Sequence, residues 1–255
     1  MNFFDAIILG IVEGLTEFFP ISSTGHLILT AELLKLPETE FLKTFQIAIQ
    51  LGAIFAIMAI YWRKLLFDRE VIKRIIIALL PALGIGFLFY QAIKNLFESS
   101  LVVVVALFLG GLVLIVFELW YKNRQIEGTD VTTMTYKTAF FVGLFQTLSV
   151  VPGVSRAGAT LLGGLLLGMK RTAIVEFSFL LAVPTMVAAT TLDIWKHGAS
   201  FSSADFSLLF VGMMTSFIVA MGAVKFLLRY VETHTFIAFG VYRMIVAIFF
   251  FIFVL

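Results

Sequence analysis

Residues 13–26 read EGLTEFFPISSTGH, and they interrupt an apolar run that extends from about residue 3 to residue 35. Pro20 and the small polar residues after it end a helix, so each flank of the run is a short helix. Because a helix needs about 20 apolar residues to cross a bilayer, neither flank spans the membrane by itself. The stretch therefore predicts a re-entrant pair of half-helices that enters and leaves on one side. A Pro-kinked span followed by a short helix is the alternative interpretation.

The chain as a whole is strongly apolar, with 61 % hydrophobic and 13 % charged residues among 255. A soluble domain carries about 25 % charged residues. Six runs have the length of full membrane spans, at about residues 44–62, 75–93, 101–121, 172–195, 206–228 and 236–254. We expect a single all-α integral membrane domain over residues 1–255, surrounded by membrane lipids. The net charge of +2 gives no reason to expect nucleic acid as a partner.

A second broken stretch, at about residues 138–168, contains VPGVSRAG at residues 151–158 and resembles the first. At a constant offset of 133 residues, Glu13 matches Gln146 and Ser22 matches Ser155. This similarity indicates an internal duplication.

Each broken stretch is followed by three spans, which divides the chain into repeat halves 1–125 and 134–255. Since three is an odd number, the second half inserts from the opposite face of the membrane. The prediction is an inverted-topology repeat of six transmembrane helices and two re-entrant half-helix pairs, whose tips meet inside the protein.

Basic residues supply the expected orientation. One side of the predicted topology carries Arg63, Lys64, Arg69, Lys73, Arg74, Lys122, Arg124, Lys137, Lys170, Arg171, Lys225 and Arg229. The other side carries Lys35, Lys43, Lys94 and Lys196. By the positive-inside rule, the richer side is cytoplasmic, so both termini and the first broken stretch face the exterior.

Two carboxylates lie one helical turn apart in the first broken stretch, at Glu13 and Glu17. Residues at i and i+4 share a helix face, so two like charges stand side by side at membrane depth. A shared proton, a nearby Arg or a divalent cation would relieve their repulsion. Oxygen ligands favour Mg²⁺ or Ca²⁺, which makes Glu13 and Glu17 candidate metal ligands. A proton-shared pair with a purely structural role is the alternative.

Ser22, Ser23, Thr24, Gly25 and His26 stand at the start of the next half-helix. Free backbone N–H groups and the helix dipole make such a position favourable for an anion. Helix capping by a hydroxyl is the simpler interpretation, but capping leaves the imidazole unexplained.

The second broken stretch offers Ser155, Arg156, Gly158 and Thr160 at its own half-helix start. A planar, permanently charged guanidinium suits bidentate binding of phosphate oxygens. The alternative is an arginine that pairs with a glutamate only to hold the halves together. Further along the chain, Glu176, Asp193 and Arg243 are expected to form internal ion pairs of structural role.

The stretch at residues 13–26 closely resembles the N-terminal signature of the undecaprenyl pyrophosphate phosphatases, also called the bacitracin-resistance protein family. PGVSRAGAT at residues 152–160 and FSFLLAVP at residues 177–184 are similar to further motifs of that family. The family often has a second serine where this chain has Ala157, so any role of that hydroxyl is missing here.

The resemblance implies a phosphatase of the bacterial inner membrane that removes one phosphate from a polyprenyl diphosphate, recycles the peptidoglycan lipid carrier and confers bacitracin resistance. It implies dependence on a divalent cation and a site facing the exterior. We expect Glu13, Glu17, Ser23, His26 and Arg156 to be catalytic. Ser22, Thr24, Gly25, Ser155, Gly158 and Thr160 are expected to bind the substrate.

The nucleophile stays open between Ser23, His26 and an activated water, with Ser23 favoured. Oligomeric state stays open as well, a homodimer included. The competing class is a polyprenyl-phosphate transporter or flippase, because inverted repeats with broken helices are typical of secondary transporters.

Overall fold

A computed structural model describes residues 1–88, 100–121, 128–197 and 202–253. Over these residues the regular structure is helical. The helices are α1 (Phe3–Thr16), α2 (Ser23–Leu33), α3 (Glu40–Phe67), α4 (Arg69–Leu88), α5 (Ser100–Tyr121), α6 (Tyr136–Gln146), a 3₁₀ turn (Thr147–Val150), α7 (Arg156–Leu166), α8 (Arg171–His197), α9 (Ser203–Thr233) and α10 (Ile237–Phe253).

Four of these helices, α3, α5, α8 and α9, are long and apolar enough to cross a membrane. They contain four of the six predicted spans and confirm a multi-pass, all-α membrane protein. The predicted span at 75–93 lies partly outside the described residues, and α4 begins earlier, at Arg69, with a charged first turn. The span predicted at 236–254 appears as α10, a shorter apolar helix of 17 residues.

Both broken stretches form hairpins of short helices. The first hairpin is α1 and α2, and the second is α6 and α7 with the 3₁₀ turn between them. Their bounds coincide at the offset of 133 residues: α1 and α6 begin at residues 3 and 136, while α2 and α7 cover 23–33 and 156–166. The two segments thus share one local fold.

The hairpins begin at opposite ends of α3. Ala6 of α1 and Ala31 of α2 pack in one cluster with Leu42, near the start of α3. The start of α6 instead lies beside the start of α4, where Tyr136 donates a hydrogen bond to Glu70. The end of the second hairpin is at that same place, because Lys170 pairs with Asp130 at 2.7 Å.

Helices of the two chain halves pack in reciprocal pairs. α1 packs along α9 and α6 packs along α4, while α3 contacts α8 and α5 contacts α10. Glycines allow the closest approaches: a Cβ on Gly10 would lie 2.6 Å from the carbonyl oxygen of Gly212, and one on Gly143 would clash with the carbonyl of Ala78. Small residues at such interfaces are typical of helix packing in membranes.

Ion pairs tie helix ends together where α3 ends and α8 begins. Glu176 pairs with Lys64, and Glu118 with Arg171, which also stacks over the Phe236 ring. The ion pair expected for Glu176 is therefore present. Arg243 is different: among the described residues, no carboxylate lies within ion-pair distance of it. The side chain of Asp193 lies outside the described residues.

Candidate active site

The two hairpins bring their loops together in the protein interior. We call residues 17–22 the first loop and residues 147–155 the second loop. Each ends on a serine with a left-handed backbone, Ser22 with φ 68° and Ser155 with φ 75°, directly before a half-helix. This conformation costs a non-glycine residue about 1–2 kcal/mol, so the surrounding structure must hold it in place.

Side chains from both hairpins meet at Glu17. The hydroxyl of Ser23 donates to Glu17 Oε2 at 2.5 Å, and Arg156 Nη2 donates to Glu17 Oε1 at 3.0 Å. The Glu17 side chain is 4 % exposed and that of Arg156 12 %, so the pair is shielded from solvent. The carboxylate is thus placed to accept the Ser23 proton, with a permanent positive charge on its other oxygen.

Ser178 of α8 accepts hydrogen bonds from Arg156 and from Thr160. Arg156 Nη1 donates to the Ser178 carbonyl at 2.9 Å, and Thr160 Oγ1 donates to Ser178 Oγ at 2.7 Å. Thr160 therefore acts within the wall of the site, where its hydroxyl bonds to Ser178 and to the Arg156 carbonyl. Sequence reasoning missed Ser178, although it lies inside the family-like FSFLLAVP motif.

Glu13 lies one turn before Glu17 and is fully buried. Among the described residues, neither of its carboxylate oxygens has a hydrogen-bond partner. A buried carboxylate in that state needs a proton or a cation. The direct ion pair of Arg156 is with Glu17 and not with Glu13. Two such oxygens beside a second acid fit either an oxygen-preferring divalent cation or a proton shared with Glu17.

His26 is held at both ring nitrogens. Nδ1 lies 2.8 Å from the Ser22 carbonyl oxygen, and Nε2 lies 2.8 Å from the hydroxyl of Tyr242 on α10. Neither nitrogen is therefore directed at Ser23, which bonds to Glu17 instead. Tyr242 was not found by sequence reasoning, since a tyrosine in an apolar helix carries no distinguishing signal.

Arg243, the next residue of α10, joins the two loops. Its guanidinium donates to the carbonyl of Pro20 in the first loop and to those of Gly153 and Val154 in the second, at 2.9–3.1 Å. It also donates to Ala106 and Leu107 of α5. The expected structural role fits, but its partners are backbone carbonyls.

The other predicted site residues line the half-helix starts. Ser155 Oγ accepts from the Gly158 N–H at 3.2 Å, a helix cap, whereas Ser22 makes no side-chain cap. Gly25 faces Leu107 of α5, and Thr24 is half-buried in the first turn of α2. The first N–H groups of α2 thus lack the side-chain cap that α7 has.

Fold and site define a multi-pass helical membrane protein with an acid–serine–arginine cluster built from two hairpins. Its sequence matches the family model described as bacitracin resistance protein BacA over residues 6–249, and the chain belongs to that family.

Curated relatives have similar length. A protein of Sulfurihydrogenibium sp. named undecaprenyl-diphosphatase is 48 % identical over 99 % of both chains. Proteins with the same name from Aquifex aeolicus and Persephonella marina are 47 % and 48 % identical, over 97 % and 100 % of both chains.

Proposed function

We propose that this chain is an undecaprenyl-diphosphatase, which hydrolyses the lipid diphosphate to the monophosphate and inorganic phosphate. One observation carries the chemistry: Ser23, Glu17 and Arg156 lie in hydrogen-bond contact although they come from two distant hairpins. Family membership supports the substrate, whose polyprenyl tail would lie among membrane lipids and whose diphosphate would enter the site.

In the proposed mechanism, Ser23 Oγ attacks the terminal phosphorus and Glu17 Oε2 accepts its proton. The bond between that phosphorus and the bridging oxygen breaks, and its electron pair leaves on the lipid monophosphate. Water then attacks the phosphoserine, which releases inorganic phosphate and restores the Ser23 hydroxyl. Arg156 stabilises charge on the phosphoryl oxygens, the usual main contribution in phosphoryl transfer.

His26 takes a supporting place in this scheme, because both ring nitrogens are engaged away from Ser23. Ser22, Thr24 and Gly25 would offer α2 backbone N–H groups to the substrate, as helix N-termini do for phosphates. Ser155, Gly158 and Thr160 would keep the opposing half-helix in shape.

We propose that Glu13, together with Glu17, holds Mg²⁺ or Ca²⁺. When bound, such an ion neutralises phosphoryl charge. The unpartnered, buried carboxylate of Glu13 supports this assignment. A chelator should abolish phosphate release, and Glu13→Gln should weaken metal binding measured by calorimetry on the purified protein. Full activity of metal-free protein would contradict it.

The decisive test of the reaction is Ser23→Ala in detergent-purified protein. We expect phosphate release from a polyprenyl diphosphate to fall by at least about 1,000-fold. Rapid acid quench of the wild type should trap phosphate on Ser23, detected by mass spectrometry. Ser149→Ala is the matched control, since that hydroxyl donates to the carbonyl of Gln146 at the end of α6 and not to Glu17. Phosphohistidine, or a fully active Ser23→Ala variant, would contradict the assignment.

We also propose that both hairpins are re-entrant, that six spans and the two hairpins form an inverted repeat with halves 1–125 and 134–255, and that the site faces the exterior of the inner membrane. The opposite starting ends of the hairpins and the reciprocal helix pairs support this topology.

Labelling of introduced cysteines tests the topology, because the chain has none of its own. Glu38→Cys, in the exposed loop after α2, should react with an impermeant thiol reagent in intact cells. Thr132→Cys, in the exposed loop before α6, should react only after permeabilisation. Equal labelling of both positions in intact cells would contradict the inverted repeat.

A further inference from the structure

Tyr242 and His26 form a contact whose proton positions follow from chemistry. Since a carbonyl oxygen only accepts, the Ser22 carbonyl 2.8 Å from Nδ1 requires the proton to be on Nδ1. In a neutral imidazole, Nε2 is then the acceptor, and the Tyr242 hydroxyl must donate to it.

The Ser22 carbonyl is the acceptor in the strained turn before Ser23. It accepts from the His26 backbone N–H at 3.3 Å as well as from the ring. Ser22 has a left-handed backbone and no side-chain cap, so these bonds help to hold the turn. The orientation of Ser23 toward Glu17 depends on that turn.

The second hairpin holds the equivalent turn in another way. Ser155 Oγ caps α7 at Gly158, and Ala159 occupies the position that matches His26. The two turns are therefore held by different side chains: a hydroxyl that accepts from a backbone N–H in the second hairpin, and an imidazole that donates to a backbone carbonyl in the first.

We propose that Tyr242 is a positioning residue of this enzyme: by donating to Nε2 it locks His26 in the Nδ1–H tautomer, which clamps the Ser22 carbonyl and presents Ser23. Tyr242 is 42 % exposed, whereas His26 is buried. The phenol thus stands at the edge of the site and acts through His26. The kinetic part of this proposal rests on the phosphatase activity proposed above, but the tautomer does not.

The tautomer is tested by NMR of protein carrying ¹⁵N-labelled histidine, with the His26 signal assigned by its loss in a His26→Asn variant. We expect the proton on Nδ1 in the wild type. In Tyr242→Phe the Nε2 resonance should move because that nitrogen loses its donor, and the Nε2–H tautomer, which then only the Ser22 carbonyl opposes, should gain population. Tyr230→Phe is the matched control, because Tyr230 stacks on His234 with ring centroids 4.4 Å apart, away from the site. A wild-type proton on Nε2, or an unchanged spectrum in Tyr242→Phe, would overturn the proposal.

Kinetics test the positioning role. Tyr242→Phe should lower kcat about tenfold, the effect of one lost hydrogen bond, with KM changed less than about twofold. His26→Asn keeps a donor near the Nδ1 position and should retain more activity than His26→Gln, which places its amide nearer Nε2. Tyr242→Phe added to His26→Asn should have no further effect. Equal inactivation by Asn and Gln would assign His26 to the chemistry. Additive losses in the double variant would show that Tyr242 does not act through His26, and either result would refute the proposal.

Discussion

The first and second loops share a backbone but carry different chemistry. Both end on a left-handed serine before a half-helix of 11 residues. The position after that serine is Ser23 in the first hairpin and Arg156 in the second, and these two side chains meet at the same carboxylate. The same backbone turn thus occurs in both hairpins, and the two turns together form one site because they carry different side chains.

Of the variants that test this difference between the loops, Arg156→Lys should lose the most activity. Lysine keeps the charge, but one ammonium cannot reach Glu17 and the Ser178 carbonyl with the fixed geometry of a guanidinium. We expect kcat/KM for diphosphate hydrolysis to fall about 100-fold or more. Lys170→Arg, at the exposed end of the same hairpin, should leave turnover unchanged. Near-normal activity of Arg156→Lys would remove the guanidinium from the mechanism.

Gly153→Ala should break the second loop and leave the first intact. Gly153 has φ +95°, and an added Cβ would lie 2.5 Å from the Val103 carbonyl oxygen. Strain and clash together should cost about 2–3 kcal/mol, seen as a lower midpoint of thermal unfolding in detergent.

The control is Gly168→Ala, where φ is +79° but nothing lies within 4 Å of the added Cβ. It should cost only the backbone strain, about 1 kcal/mol. Equal losses in the two variants would show that the close approach of the second loop to α5 has no energetic weight.

Gly110→Ala should weaken the hydrogen bonds of Arg243 to both loops, although Gly110 itself belongs to neither loop. An added Cβ would clash with Arg243 Nη2, so the guanidinium must shift away from its carbonyl partners. We expect about a tenfold loss of activity, as for a lost hydrogen bond, with the helices still formed by circular dichroism. Gly222→Ala has open space around its Cβ and should be neutral or slightly stabilising. Wild-type turnover of Gly110→Ala would show that the hydrogen bonds of Arg243 to the two loops are not needed for activity.

Ser155→Ala should have the smallest effect. Together with Ser22→Ala, it compares how much each serine hydroxyl stabilises its own turn. It removes the cap on Gly158 and should cost about 1 kcal/mol in thermal unfolding. Ser22→Ala removes no side-chain cap and should cost less. The reverse order of stabilities would mean that the Ser22 hydroxyl contributes more to its turn than the Ser155 hydroxyl does to the equivalent turn.

Much of the fold could be predicted because proline, glycine and hydropathy act locally. The broken stretches expected at 3–35 and 138–168 form hairpins at 3–33 and 136–166. Hydropathy was less informative for α4, since it reports the apolar part of a helix and α4 continues into a charged turn at Arg69.

The contacts between charged side chains of the site could be predicted from the sequence, whereas the contacts of side chains with backbone carbonyls could not. An acid and an arginine at membrane depth have few stable arrangements, so the contact of Glu17 with Arg156 could be anticipated. Arg243 could not be connected with the loops, because its partners are backbone carbonyls, which every residue possesses. For the same reason the sequence did not reveal that His26 binds Ser22 and Tyr242.

The reciprocal pairing of α1 with α9 and of α6 with α4 has a consequence for biogenesis. When the ribosome has released residues 1–125, α1 has been synthesised but its packing partner α9 has not. The glycine face of α1, at Gly10 and Gly14, therefore has no packing partner until the last third of the chain is synthesised. Final assembly is therefore a late event that follows insertion, and fragments of this protein should reconstitute only when both halves are made in the same membrane.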